Sequence, residues 1–317
     1  MKATREIKHR MRSIENTRQI TRAMEAVSAT KMLRSQEFAL IARPYAEHAL
    51  RLLGEVSERT MRKLHVLLET RKKGKTCLLV ITSDKGLCGG YNSAVLRKAH
   101  EYIKKTQNSK LKTQNLIDII TVGKKARDYF KFRNYKLAGE FIGFGDFVRM
   151  DETLPVSERG LKDWQEKKYS EIICAYTNFI STLKQEAVIR TILPITKQSI
   201  EEIVEGIAPK RGRYAEEATR LRQGFGGQAS FNYTYLFEPS REKVLNELLP
   251  LLVKIKIHHM ILEANASEHS ARMVAMKNAS ENAEEILGEL TLFYNKARQA
   301  AITEQIAEVT AGREALE

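Results

Sequence analysis

The stretch HSARMVAMKNASENAEEILGELTLFYNKARQAAI, residues 269–302, constrains the fold more than any other part of the chain. With the residues before it, it carries a seam at alternating steps of four and three: Leu262, Ala266, His269, Met273, Met276, Ser280, Ala283, Leu287, Leu290, Tyr294, Ala297 and Ala301. This spacing lines one stripe of an α-helix, as in a coiled coil. From about Arg241 to Thr310 only Pro250 and Gly288 interrupt helical composition, and the part beyond Pro250 alone would run on the order of 90 Å. A helix of that length exceeds the diameter of any domain that 317 residues can build. Much of it must protrude or be buried against another helix or other chains. Ser280, Ala283, Ala297 and Ala301 admit a neighbouring backbone closer than Leu would, at the expense of buried area per turn.

A partner lies at the other end of the chain. Between Lys2 and about Tyr45 there is no Gly and one Pro, Pro44, while Ala, Arg, Lys, Glu, Gln and Met abound, so the segment is expected to be one helix that Pro44 bends or ends. Its apolar stripe, Ile7, Met11, Ile14, Ile20, Met24, Val27 and Met32, is thin and is interrupted at Glu15-Asn16-Thr17-Arg18. Two terminal helices with a domain between them can pair antiparallel as the legs of a hairpin. The Arg, Lys, Gln, Thr and Glu of the outer surface suit sliding contact with other polar surfaces. An ordinary solvated helical hairpin fits the pattern equally well.

The middle of the chain changes period. CLLVITSD at 77–84, IDIITV at 117–122, IICAYTNF at 172–179 and VIRTILPI at 188–195 read as strands, with helices near Ser93–Lys105, Lys124–Phe130 and Gly160–Lys168. Alternating strand and helix implies a small, largely parallel α/β sheet. After Pro209 comes KRGRYAEEATRLRQGFGGQASFNYTYLFEPS, which has no steady period and reads as a loop or insertion.

The net charge of +14 creates a field that favours nucleic acid, acidic lipid headgroups or an acidic protein partner, without choosing among them. Cys77, Cys88 and Cys174 form neither a CxxC pair nor an even disulfide framework, which points to a reducing compartment and argues against zinc. MKATREIKHRMRS has charge where a signal peptide needs an apolar core, and no stretch reaches the roughly 18 apolar residues of a membrane span.

The most distinctive short motif is TSDKGLCGGYN at 82–92, between a strand and a helix, where α/β proteins hold phosphates. GLCGG matches neither G-x-G-x-x-G nor G-x-x-x-x-G-K-[ST], so glycines shaping a tight turn explain it better than a nucleotide. Cys88 would be a nucleophile only beside a base, and no His is local. RQGFGGQ at 222–228 follows no strand and reads as a loop. Arg5, Lys8, Arg10, Arg12, Arg18 and Arg22 suit phosphate backbones, yet Glu6, Glu15 and Glu25 interleave with them and aromatics are absent. A solvated face or a contact with an acidic protein loop explains the pattern better.

Three stretches, ENTRQITRAMEAVSATKM at 15–32, TSDKGLCGGYN, and ASEHSARMVAMKNASENA followed by LTLFYNKARQAAITEQIAEV, together resemble the gamma subunit of F-type ATP synthase in content, order and separation. The resemblance runs from the first residues to about Val309. It implies an antiparallel two-helix coiled coil from the two termini plus a central Rossmann-like α/β domain. The divisions expected are a shaft helix over 1–57, an α/β domain over 75–209, a basic loop or insertion over 210–240 and a second shaft helix over 241–311. It further implies a non-catalytic rotor inside the ring of alpha and beta subunits, with epsilon and the membrane c-ring at its foot, no cofactor and no nucleic acid. The complex would sit on the cytoplasmic face of a bacterial plasma membrane, which the chain would touch only through the complex.

Position by position, the resemblance places Arg22, Met24 and Lys31 near the beta lever loops and Arg298, Gln299 and Thr303 near the beta catch loops. Tyr235, Phe237 and Glu238 match the region that seats on the c-ring and epsilon. The segment from Lys210 to Ser230 is longer and more basic than this link usually is, and it lacks the cysteines of the chloroplast redox switch. The readings that remain beside it are a basic coiled-coil nucleic-acid-binding protein and a Cys enzyme built on the 82–92 turn.

Overall fold

A computed structural model describes residues 2–41, 65–71, 74–108, 117–196, 238 and 240–314. The expected helix beyond residue 41, Pro44 and nearly all of the basic 210–240 segment lie outside the described residues. The chain divides into two compact units, one formed by Met1–Ala29 with Arg272–Glu317 and the other by Thr30–Ala271. Two helices contribute to both: α1, Lys2–Ile41, and the last helix, Arg241–Glu314.

The second unit is built on a five-stranded sheet. In chain order its elements are β1 (Lys75–Ile81), α2 (Tyr91–Asn108), β2 (Ile117–Val122), α3 (Lys124–Phe132), β3 (Leu137–Phe141), α4 (Met150–Gln165), β4 (Tyr169–Phe179) and β5 (Gln185–Leu193), followed by the last helix, α5. The strand order is β3-β2-β1-β4-β5. All neighbours are parallel except β4 and β5. Only residues 180–184 join that pair, too few for a crossover, so a hairpin is the sole connection available.

Alternation within the strands divides the core between the two faces. Leu78, Val80, Ile119 and Ile173 face α2 and α3, where Val95, Ala99, Ile103, Ala126 and Phe130 meet them. Cys77, Leu79, Ile81, Ile120, Val122 and Tyr176 face the other way, against Trp164 of α4 and the stripe of α5 from Leu245 to Ala264. Full burial of a Leu or Ile side chain stabilises by about 1.5–3 kcal/mol, so this part of α5 is held firmly. Three buried ionisable residues interrupt its stripe. Lys256 donates to the Thr191 carbonyl at 2.6 Å, and His259 Nε2 lies 3.4 Å from Glu263 Oε1. Lys256 favours one register of helix on sheet, because another would take its buried ammonium from the Thr191 carbonyl, whereas His259 and Glu263, four residues apart on the same helix, stay together in any register.

Two elements differ from the sequence expectation. Strand β3 lies over LAGEF, whose small residues give no period-two signal. The helix expected over Gly160–Lys168 is α4, which begins earlier, at Met150, carries Pro155 about a turn and a half in, and ends at Gln165. Its first turn is secured by the Arg149 N–H, which donates to Glu152 Oε2 at 2.9 Å. Trp164 Nε1 in the last turn donates to the Val66 carbonyl and Arg71 lies over the indole ring, which fastens the short 3-10 turn Val66–Leu68 to the unit.

In the first unit the seam expected of the last helix is present. Met276 and Ala283 are buried, Met273, Ser280, Leu287, Leu290, Tyr294, Ala297 and Ala301 are half-buried, and most residues between them from 281 onward are exposed. The stripe of α1 differs from the one read in the sequence. Ile20 and Val27 are exposed, at 60% and 51%, while Thr21 and Ser28 are buried. Among the half-buried and buried positions, Ile7, Met11, Ile14, Arg18, Thr21, Met24 and Ser28 keep steps of three and four. From Ile14 to Ile20 is a step of six, which places Ile20 on another face. The hydroxyl of Thr21 avoids an unmet polar group by donating to the Arg18 carbonyl at 3.0 Å.

Candidate partner-contact surfaces

The pairing of the terminal helices is narrow and lightly tied. Arg18 donates to Glu15 on its own helix at 3.0 Å and reaches Glu284 of α5 at 3.5 Å. In the second unit, Lys31 and His269 both approach Asp146, at 2.6 and 4.0 Å. Residue 18 is thus matched with 284, and 31 comes close to 269, so α1 and α5 run in opposite directions. Small seam residues permit close approach, and their cost is a thin interior.

Large apolar side chains stand outside this seam. Leu292 and Phe293 are 74% and 67% exposed, and Ile306 and Val309 are exposed as well. On α1 the exposed pair Ile20 and Val27 repeats at seven residues, so both lie on one face. These residues were absent from the sequence-based site assignment. Their signal was available as apolar side chains out of phase with the seam.

The residues assigned from the sequence fall into separate bands. Arg22 is exposed and Met24 half-buried on α1; Arg298, Gln299 and Thr303 are exposed on α5, with Thr303 Oγ1 donating to the Gln299 carbonyl at 3.0 Å. Because Arg18 meets Glu284, Arg22 lies level with about Ser280, roughly 27 Å of helix from Arg298. The structure does not bring the two sets together. Lys31 is half-buried in the second unit, where Asp146 holds its ammonium. Glu238 is exposed in a bend, and Tyr235 and Phe237 lie outside the described residues.

The 82–92 turn is occupied by its own side chains. Asp84 Oδ1 accepts from the Lys124 N–H at 2.7 Å, and Oδ2 from the Gly143 N–H at 2.8 Å. Thr82 Oγ1 accepts from the Ala126 N–H at 2.8 Å. A carboxylate and a hydroxyl thus cap the N-terminus of α3, where a phosphate would otherwise be drawn. Asn92 closes the other side: its Oδ1 accepts from the Ser83 N–H at 3.0 Å, and its Nδ2 donates to Cys88 Sγ at 3.1 Å. Cys88 is 2% exposed, so its sulfur supports the turn and is closed to a substrate. Leu87, with φ of 62° and 63% exposure, is presented outward at the tip.

The remaining thiols are buried in the sheet, where burial pushes Cys77 up to about 12 and raises Cys174 further, so both stay protonated. Among the described residues no cluster of His, Cys, Asp and Glu is arranged to hold a metal ion, and no helix is long and apolar enough to cross a membrane.

The family model described as ATP synthase matches residues 3–316. An ATP synthase gamma chain of Chloroflexus aurantiacus is 39% identical over 319 aligned positions that cover 100% of this chain and 99% of the relative. The gamma chain of Pelotomaculum thermopropionicum is 38% identical, with both chains covered in full. Among solved structures, a chain of the Euglena gracilis mitochondrial ATP synthase OSCP/F1/c-ring assembly in rotational state 3 superposes with a TM-score of 0.61 at 16% identity, covering 99% of this chain and 94% of that one. A chain of the Tetrahymena thermophila central stalk and c-ring structure superposes at 0.55 and 22% identity, covering 82% and 99%. At those identities the structures speak for the fold; the full-length sequence matches carry the assignment. The chain belongs to the family of ATP synthase gamma chains.

Proposed function

We propose that this chain is the central-stalk rotor of an F-type ATP synthase, coupling ion-driven rotation of the c-ring to ATP synthesis or hydrolysis on the beta subunits. The observation that carries this reading is the construction of the first unit: an antiparallel helix pair with small residues inside, exposed polar and apolar side chains outside, and few ion pairs across it. A shaft needs axial stiffness, which continuous backbone hydrogen bonding supplies, and lateral contacts weak enough to be exchanged at each step. Exposed ion pairs, worth about 0–1 kcal/mol each, meet that need.

In this reading the chain is non-catalytic, and its asymmetry imposes different conformations on the three beta sites. Arg22, Met24 and Lys31 form the lower contact band toward beta, with Lys31 acting through its bond to Asp146, and Arg298, Gln299 and Thr303 form the upper band. Tyr235, Phe237 and Glu238 seat the foot on epsilon and the c-ring. The shaft comprises 1–57 and 241–311, the foot 75–209, and the 210–240 segment is a basic insertion. The complex stands on the cytoplasmic face of a bacterial plasma membrane, and the chain reaches the membrane only through it. Nothing in the comparisons favours the nucleic-acid reading.

The test is reconstitution of alpha and beta subunits with and without this chain, followed by ATP turnover and single-particle rotation. Rotation of a bead attached to the foot, present only when the chain is included, is the expected result. Turnover without rotation, or failure to enter the ring, would sink the proposal.

A further inference from the structure

Helices α2 and α3 cover the sheet face opposite α4 and α5, and a groove of about 600 Å³ opens between them. Its floor is Leu96, which is buried, and the half-buried ring of Tyr129. At its edge Phe132 is 85% exposed, the most exposed large apolar side chain among the described residues. Arg97, Lys125 and Arg133 also line it. The guanidinium of Arg133 is held 3.6 Å from the centroid of the Tyr129 ring, while Arg97 and Lys125 form no ion pair among the described residues. The single carboxylate in the lining, Asp128, is already engaged by Arg127 at 2.8 Å.

We propose that this groove docks an acidic segment of a partner protein. One aromatic or aliphatic side chain of that segment seats on Leu96 and Tyr129 beneath Phe132, and its carboxylates meet Arg97, Lys125 and Arg133. Charge complementarity identifies the occupant: three cations surround an apolar floor and the local carboxylate is spent. Concavity separates this partner from a lipid surface, which would touch Phe132 and the rim and leave Leu96 uncovered. Because the groove lies on the sheet face opposite α5, occupancy leaves the packing of that helix intact. The proposal goes beyond the rotor reading and does not depend on it.

The experiment uses the full chain and fluorescence anisotropy of a labelled peptide with one Phe flanked by glutamates, alongside a lysine-flanked control and vesicles of phosphatidylglycerol. The acidic peptide is expected to bind, to weaken as salt rises, and to lose about tenfold in affinity with Arg97→Glu or with Phe132→Ser. Lys184→Glu, on the exposed β4–β5 turn, is expected to bind as the unaltered chain does, and emission from Trp164 confirms that each variant is folded. The proposal fails if the peptide does not bind, if both groove variants bind as well as the unaltered chain, or if only the vesicles bind and do so through Phe132.

Discussion

Lys31 Nζ lies 2.6 Å from Asp146 Oδ2, a bond that fastens α1 to the loop between β3 and α4 within one unit. Lys85 and His269 approach the same carboxylate at 4.0 Å each. Partial burial works to raise the pKa of Asp146, but the Lys31 bond and charge, with Lys85 and His269 behind them, hold it below the ordinary value. A carboxylate depressed in the folded state stabilises fully above its unfolded pKa of about 3.9, and that contribution is lost as pH falls through the folded value. Asp146→Asn is therefore expected to cost about 1 kcal/mol near neutral pH and to remove part of the acid sensitivity below pH about 4. Denaturant titrations across that range check both; equal slopes against pH in the two proteins would refute the assignment.

His258 supplies a second, separate pH dependence. Burial, and then the neighbouring His259, push its pKa down to about 4, so the folded protein holds the imidazole neutral. Thr153 spends its hydroxyl hydrogen on the Met150 carbonyl, so at 3.2 Å His258 Nδ1 must be the donor and Thr153 Oγ1 the acceptor. The stability this neutral ring contributes is present above its unfolded pKa of about 6.5 and declines as pH falls toward the folded value. His258→Asn is expected to flatten the stability profile between about pH 6.5 and 4. The single tryptophan, Trp164, is fully buried, and its emission reports the transition.

The displaced stripe of α1 yields a pair of opposite expectations. Ala283 is 6% exposed in the seam, so Ala283→Leu inserts a side chain where backbones approach and is expected to destabilise the terminal helix pair by about 1–3 kcal/mol. Ile20→Ser with Val27→Ser removes apolar groups from an exposed face and is expected to change the stability of the isolated chain by less than about 0.5 kcal/mol. Thermal melts followed by circular dichroism separate the two. If the serine pair is the more damaging, the seam runs through Ile20 after all.

These elements show what the sequence makes legible and what it hides. The α5 seam was readable because spacing alone specifies it, and every member from Met273 to Ala301 is at least half-buried. On α1 the same logic was misled by weighting hydrophobicity above spacing: Thr21 and Ser28 are polar, and a strict step of three and four would have preferred them to Ile20 and Val27. The TSDKGLCGG stretch was legible as a turn, but of its glycines only Gly89 takes a left-handed φ, of 54°, and Leu87 takes one too; the capping of α3 by Asp84 depends on a strand and a helix about 40 residues apart in sequence. The pairing of Lys31 with Asp146 is longer in range still, at a separation of 115 residues. No local pattern encodes such a contact.

Gly123 tests the turn between β2 and α3 directly. Its φ is +96°, and a Cβ there would stand 2.1 Å from the Thr82 carbonyl oxygen. The same residue donates its N–H to the Phe141 carbonyl at 2.8 Å, so backbone movement to relieve the clash would break a bond between β2 and β3. Gly123→Ala is expected to cost more than about 3 kcal/mol, since strain and steric overlap act together. Gly288→Ala is the control, on an exposed helical position with nothing within 4 Å, and is expected to stabilise by about 0.5–1 kcal/mol. Urea midpoints for the two variants should move in opposite directions.

Met24 separates coupling from assembly. It is half-buried on α1, between the exposed cation of Arg22 and the buried Ser28 of the seam. Met24→Lys adds a charge that can reach solvent along its stem, so the helix pair is expected to form with a loss of less than about 1 kcal/mol. In the assembled complex the added ammonium would stand beside the cation of Arg22 in the band proposed to face the beta lever loops, and alter a lateral contact that must be exchanged at each step of rotation. ATP hydrolysis by the purified complex is then expected to persist while ATP-driven ion pumping falls, with subunit yield unchanged. Full pumping by the variant would show that position 24 does not face the lever, whereas loss of the complex itself would place Met24 in the assembly contacts instead.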